Sequence, residues 1–298
     1  MKVIHFDCFQ AEKKYHKKSS HIYREESLQA YLKKKGEIDA DIITGFVYSN
    51  FTKDTLSHIK NLKCVITRSV GMDNIDIRYC DLNKIKYLNT SYSSHNVAHH
   101  TIALILFFTR KLDSFYSSVK KGNFSDKEIN CFDLNKKKLG IIGHGRIGKQ
   151  VGELAQSFGM EILVYDRKKT ECTLIDGINL CNLDSVLEAS DIVTLHCDPN
   201  PSSIGIINQE SIKKMKNGVI LINTARGSII NEKDLLKNIK KFSFVGLDVL
   251  ENENYFSKNH PFLKHPNIFI TPHIAYKSEE TTKERWNQTY RHIENFTY

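Results

Sequence analysis

Apolar residues in the first ninety positions come in short runs, Val3 to Phe6, Asp41 to Thr44, Cys64 to Thr67 and Tyr87 to Asn89, separated by helix-like stretches such as Arg24 to Lys34 and Thr52 to Leu62. Short runs of this kind predict strands, and their alternation with helices predicts a small α/β unit. A longer apolar segment runs from His95 or Asn96 to about Tyr116 through Val97, Ile102, Ile105, Leu106 and Leu112, and predicts one long helix with apolar surface broad enough for a partner. Beyond Lys138 the strand and helix patterns alternate again, with strands expected at Ile162 to Tyr165, Asp191 to His196, Val219 to Asn223, Phe244 to Asp248 and Ile268 to Thr271. That alternation is the pattern of a doubly wound parallel sheet. Asn231, with Asp234 three positions on, marks the N-cap of a helix whose inward face is Leu235, Leu236 and Ile239.

The sharpest local pattern is KLGIIGHGRIGKQVGELAQSFG, Lys138 to Gly159, with GxGxxG spacing at Gly143, Gly145 and Gly148. An apolar strand precedes these glycines and Ile147, Val151, Leu154, Ala155 and Phe158 follow at helical spacing, so the glycines mark a strand-to-helix turn. Gly143 takes the tight turn, Gly145 lets backbone approach a pyrophosphate, and Gly148 allows close helix packing, while N–H groups at the helix start face the phosphates. Asp166, at the end of the next strand, stands near the spacing of about 20 residues at which a carboxylate accepts both ribose hydroxyls, which favours NAD over NADP. Arg167 beside it is a cation suited to a 2′-phosphate, so the preference for NAD is not absolute.

Composition narrows the class. A chain of 298 residues with 40% hydrophobic residues holds about two domains. The longest apolar run, Ile102 to Phe108, is far below the roughly 18 residues of a membrane span, and MKVIHFDCF lacks a signal-peptide pattern, so a cytoplasmic protein without membrane association is expected. The seven cysteines form no CxxC pair and no cluster with histidine; reduced thiols and no metal are expected. The net charge of +9 arises from short dispersed lysine clusters such as Lys33 to Lys35 and Lys136 to Lys138, the pattern of a solvated surface rather than a nucleic-acid interface.

Ligands of open α/β sheets bind at the carboxyl ends of the strands. There the segments INTARG, GLDVLENE and TPHIA supply Arg226, Asp248, Glu253 and His273: a cation, two carboxylates and an imidazole. HGRIG, LINTARG, LDVLENE and TPHIA, in this order and spacing, resemble the D-specific 2-hydroxy-acid dehydrogenase family over nearly the whole chain. The resemblance implies a Rossmann-type NAD-binding domain, residues 93–273, inserted into a flavodoxin-like substrate domain, residues 1–92 and 274–298, with the active site in the cleft between them. It assigns Arg226 to the substrate carboxylate and keto oxygen, His273 to acid/base catalysis, Glu253 to holding that ring, and Asp248 to the vicinity of the nicotinamide. Arg146, Ile147 and His196 join the three glycines and Asp166 as expected cofactor contacts.

RSVGMDNID resembles the substrate-binding loop, in which the N–H groups of Val70 and Gly71 bind the carboxylate; Asn74 and Asp76 are read as turn residues. TSYSSHNVAHHTIA is most similar to the D-lactate dehydrogenase branch, where the tyrosines matching Tyr92 and Tyr276 lie at the substrate or pack at the domain interface. Two positions depart from the family pattern: His99 stands where glutamate is usual, and Asp198 where proline is usual. The expected activity is hydride transfer between NAD and C2 of a small 2-keto acid, with pyruvate and D-lactate favoured, in a homodimer. A bulkier 2-keto acid, phosphoglycerate or glyoxylate is the alternative substrate, and an NAD-responsive corepressor-like binding protein the alternative class.

Overall fold

Residues 1–125, 127, 130–167, 173–175, 178–253 and 256–296 are described by the computed structural model, and they divide into one unit of residues 1–93 with 277–298 and another of residues 94–276. The first unit alternates β1 (Val3–His5), β2 (Ile22–Tyr23), α1 (Leu28–Lys35), β3 (Ile38–Asp39), β4 (Ile42–Gly45), α2 (Lys53–Leu56), β5 (Ile59–Lys60), β6 (Cys64–Thr67), α3 (Ile77–Leu82) and β7 (Lys86–Asn89). Five of these strands form a parallel sheet in the order β2-β1-β4-β6-β7, the flavodoxin-like winding. Its central strands are covered on both faces, which is why Ile42, Ile43, Cys64, Val65 and Ile66 form unbroken apolar runs.

Two expected helices are shorter than their patterns. The one expected from Arg24 begins only at Leu28, because Ser27 caps it by accepting the Ala30 N–H and Ile22 and Tyr23 pair with β1. The one expected over Thr52 to Leu62 ends at Leu56, and Ile59 and Lys60 pair with β3 instead.

The second unit runs through α4 (His95–Thr109), α5 (Leu112–Lys120), β8 (Lys138–Ile142), α6 (Arg146–Ser157), β9 (Glu161–Tyr165), β10 (Thr173–Ile175), β11 (Ile178–Leu180), α7 (Leu183–Ala189), β12 (Ile192–Leu195), α8 (Gln209–Lys214), β13 (Val219–Asn223), α9 (Glu232–Lys237), β14 (Phe242–Leu247) and β15 (Ile268–Ile270). Its sheet has the order β10-β11-β9-β8-β12-β13-β14-β15, with β10 antiparallel to β11 and the remaining pairs parallel. The winding reverses at β8, the topological switch point where a doubly wound sheet opens a crevice for a ligand. Asn231 caps α9 by accepting the Asp234 N–H.

The single long helix expected from His95 to Tyr116 is two helices. Lys111 takes a left-handed backbone (φ 51°) that breaks the helical ladder, and its ammonium lies 3.5 Å from the centre of the Phe244 ring. The apolar breadth of α4 is absorbed by its own unit: Ile102, Leu104, Ile105 and Phe108 join Val151, Ala155 and Ile220 in one core. The apolar surface left exposed lies on α5, at Leu112, Tyr116 and Val119.

The chain returns to the first unit in α10 (Glu279–Glu294), which buries Trp286, Tyr290 and Ile293. The indole N–H of Trp286 donates to Glu12 at 2.9 Å, Arg285 forms an ion pair with the same carboxylate, and the Arg68 guanidinium lies 4.4 Å from the indole ring centre. His5 is enclosed here, with Nδ1 2.8 Å from Thr44 Oγ1, Nε2 3.0 Å from His21 Nδ1, and its ring stacked on Tyr23. Burial first, then the charges of Arg68, His21 and His16, holds its pKa well below the usual histidine value. The unfolded chain therefore binds a proton that the folded chain refuses: stability is complete above about pH 6.5 and falls as pH drops below it, by about 1.4 kcal/mol per pH unit for one such group. Thermal melting between pH 7.5 and 5.5 is expected to show this decline, and His5→Gln to make it shallower; parallel slopes for the two proteins would remove His5 as a cause.

No helix among the described residues is long and apolar enough to cross a membrane. Cys8, Cys64, Cys80, Cys131, Cys181 and Cys197 are free thiols, and Cys172 lies outside the described residues.

Candidate functional site

The glycine turn joins β8 to α6, with Gly145 as N-cap. Gly143 has φ 100°, and a Cβ there would lie 2.6 Å from the Cys197 nitrogen, so both the backbone and the neighbouring loop exclude a side chain. At Gly148 a Cβ would lie 2.1 Å from the Gly143 carbonyl oxygen, which keeps α6 close against the turn. A Cβ at Gly145 would meet nothing within 4 Å, and Gly145 borders a cavity of about 390 Å³ that is also lined by Gly143, Asp166, Arg167, His196 and Asp198. Arg146 and Ile147 open α6; the Ile147 side chain packs into the core, so what this position offers a phosphate is its backbone at the helix start.

Asp166 follows β9, and its carboxylate accepts the His144 N–H at 2.9 Å, which pins it to the lip of the turn. Arg167 donates to Asn200 Oδ1 at 3.2 Å and Ser202 Oγ at 3.3 Å. Those two partners in the loop after β12 carry no motif and escape a reading of the sequence. Where Asp198 replaces the usual proline, its carbonyl oxygen accepts from Asn200 Nδ2 (2.9 Å) and Ser203 Oγ (2.6 Å), hydrogen bonds that close the loop in place of a ring. Both ring nitrogens of His196 are buried without a hydrogen-bond partner, and burial pushes its pKa down to about 3, so the ring is neutral. A buried imidazole of that kind on a cavity wall has hydrogen-bonding capacity to offer a polar ligand. A bare glycine cradle, a helix start, a carboxylate and this imidazole fit a dinucleotide.

The motif residues at the far strand ends belong to the same unit. After β13, Asn223 accepts the Ala225 N–H at 3.0 Å and donates to the Arg226 carbonyl at 2.8 Å, folding the loop back; the Arg226 guanidinium donates to the Ala225 carbonyl at 2.8 Å. A Cβ on the next residue, Gly227, would lie 1.9 Å from the Leu250 carbonyl carbon, so the arginine loop rests directly on the segment that leads to Glu253. Glu253 Oε2 lies 2.8 Å from His273 Nδ1. With Nδ1 held by a carboxylate, Nε2 is the ring nitrogen left available to a ligand. Tyr276 places its ring 6.1 Å from that of His273.

His273 has φ 52°, left-handed for a non-glycine residue, and such a conformation persists only where its surroundings fix it. Asp248 supplies much of that fixation. Its carboxylate is buried and accepts from Thr271 Oγ1 (2.5 Å), Ile274 N (2.9 Å) and Ala275 N (2.8 Å), while its carbonyl accepts the His273 N–H at 2.9 Å.

Val70, Gly71 and Tyr92 belong to the first unit, at the carboxyl ends of β6 and β7. Asn89 donates to the Val70 carbonyl and Ser69 to the Gly71 carbonyl, each at 2.6 Å, which sets the peptide planes of the loop. Asn74 donates to the carbonyls of Phe46 and Ser49, and Asp76 caps α3. Sequence reasoning missed His100, Thr101 and Thr271, which stand behind the motif residues. His99, the departure in that segment, is exposed, whereas His100 faces inward. The signal was present in the helical period, since His100 stands three residues after buried Val97 and four before buried Leu104.

The profile of the D-isomer specific 2-hydroxyacid dehydrogenase NAD-binding domain matches residues 102–275. The chain is 33% identical over 270 residues to a hydroxypyruvate reductase of Blautia hydrogenotrophica, covering 87% of this chain and 82% of that protein. It is 32% identical over 274 residues to the D-lactate dehydrogenase kk1H of Curvularia clavata, covering 86% and 78%. The structure of D-lactate dehydrogenase from Aquifex aeolicus, complexed with NAD and lactic acid, aligns with a TM-score of 0.86 at 34% identity, covering 98% of this chain and 94% of that one.

Proposed function

The chain belongs to the D-isomer-specific 2-hydroxyacid dehydrogenase family, with NAD as its cofactor, and from that premise we propose that it reduces pyruvate to D-lactate. NADH, when bound, would supply the hydride to C2 of the keto acid. Arg226 pairs its guanidinium fork with the substrate carboxylate and stabilises the keto oxygen as negative charge grows there. His273 delivers the proton to that oxygen from Nε2, and Glu253 orients the ring through Nδ1. In the first unit, the N–H groups of Val70 and Gly71 bind a carboxylate oxygen and Tyr92 contacts the substrate; in the second, Tyr276 offers the substrate an aromatic ring beside His273. Asp166 takes the ribose hydroxyls, His196 the polar edge of the cofactor, and Asp248 holds the catalytic loop.

The observation that carries this reading is the 2.8 Å contact between Glu253 and His273. The choice of pyruvate is supported by the likeness to the Aquifex aeolicus enzyme over nearly the whole chain and by the two tyrosines of the D-lactate branch. A second reading, reduction of hydroxypyruvate, is favoured by the relatives from Blautia hydrogenotrophica and Thermotoga maritima that carry that name. Steady-state rates with pyruvate, hydroxypyruvate, glyoxylate, 3-phosphohydroxypyruvate and phenylpyruvate, each with NADH and NADPH, separate the two. The expected result is the highest kcat/KM for pyruvate with NADH. A higher value for hydroxypyruvate selects the second reading, and no turnover of any substrate, with association to another protein that responds to NAD, selects the binding class. A second copy of the chain is the partner we assign to the exposed α5 face of Leu112, Tyr116 and Val119, since α4 spends its apolar surface internally.

A further inference from the structure

We propose that His100, with Thr101 beside it on α4, is a positioning residue that keeps the acid/base loop and the arginine loop in register, an inference that rests on the roles proposed above for His273 and Arg226. His100 Nε2 lies 3.2 Å from Thr271 Oγ1 and 3.6 Å from Asp248 Oδ1. An ionised Asp248 only accepts hydrogen bonds, so the Thr271 hydroxyl proton points to it across 2.5 Å. The lone pair left on Thr271 then accepts from His100, which fixes the His100 tautomer with its proton on Nε2. Burial lowers the pKa of His100, opposed by the charge of Asp248, in keeping with a neutral ring that donates one directed hydrogen bond.

The relay ends on the catalytic loop. Asp248, oriented by Thr271 and His100, receives the Ile274 and Ala275 N–H groups immediately after His273. One turn earlier on α4, Asn96 donates to the Tyr276 carbonyl at 3.5 Å, so the helix grips this segment at both ends. Thr101 reaches the other loop. Its hydroxyl donates to the Val97 carbonyl at 2.8 Å, leaving its oxygen to accept from Thr224 at 2.9 Å, two residues before Arg226. Adjacent residues of one helix thus bind the segments that carry the proton donor and the guanidinium. Because His273 occupies a left-handed backbone conformation, loss of a tether lets its loop relax and moves Nε2 away from the substrate oxygen. The glycine turn is untouched by this change.

The test compares His100→Ala, His100→Gln and the unaltered protein in kcat and KM for pyruvate, NADH dissociation constant by fluorescence, and amide hydrogen exchange over residues 271–276. His100→Ala is expected to lose about 10- to 100-fold in kcat, the scale of a small misplacement of reacting groups. NADH affinity should stay within about twofold, and exchange at Ile274 and Ala275 should rise about tenfold in line with weakened Asp248 contacts. His100→Gln, whose amide also donates to Thr271, should recover most of both losses. Unchanged kcat and unchanged exchange in His100→Ala would overturn the proposal, as would a fall in kcat matched by a loss of NADH affinity, or a glutamine variant no better than alanine. Exchange is read without turnover, so a protein that reduces no 2-keto acid would sink the functional reading while the tether is still judged by the amides.

Discussion

His273→Asn is expected to lower kcat for keto-acid reduction by about 10²- to 10⁴-fold, the usual contribution of a positioned proton donor. Asparagine retains a polar group near Glu253 but has no proton to give at the substrate oxygen. NADH binding should be retained, because the cradle proposed for the dinucleotide, at Gly143, Gly145 and Asp166, lies on other strand ends of the sheet. Steady-state kinetics with a parallel fluorescence titration of NADH checks both halves. Equal losses of kcat and NADH affinity would mean that His273 shapes the fold rather than donating a proton.

Arg226→Gln is expected to reduce kcat/KM for pyruvate by about 10³-fold, because it removes a permanent charge from the oxygen where charge develops as well as a partner of the carboxylate. The loss should divide between a raised KM and a lowered kcat, since carboxylate binding acts in the ground state and charge stabilisation acts only as hydride arrives. Arg226→Lys should recover little: a single ammonium cannot reproduce two parallel hydrogen bonds, and the Ala225 carbonyl and Gly227 leave the loop fixed for an arginine. A change confined to KM would limit Arg226 to binding. Kinetics as near wild type in Arg226→Gln as in a surface control would remove it from the site.

The central strands of both sheets could be read from the chain because parallel strands covered on both faces must be continuously apolar, as at Cys64 to Thr67 and Val219 to Asn223. The glycine turn was legible for a different reason: φ 100° at Gly143 and the close approach at Gly148 admit no other residue. Local pattern failed where a tertiary partner decided. Ile59 continues an apolar period that reads as helix, and pairing with β3 makes it a strand. Nothing in the segment around Lys111 signals a break, because the left-handed turn there is accompanied by the Phe244 ring more than a hundred residues away. In the site, the charged members announced themselves through their motifs. His100 did not, since its partners Thr271 and Asp248 come from distant strand ends, and a histidine on a helix face carries no mark of what it meets.

The most direct test incubates the purified protein with NADH and pyruvate and follows NADH oxidation against product by chiral chromatography. The expected result is one D-lactate formed for each NADH consumed, with turnover abolished or nearly so in His273→Asn. Formation of L-lactate, NADH consumed without lactate, or full turnover by the asparagine variant would contradict the assignment of Arg226, Glu253 and His273 as the reducing site.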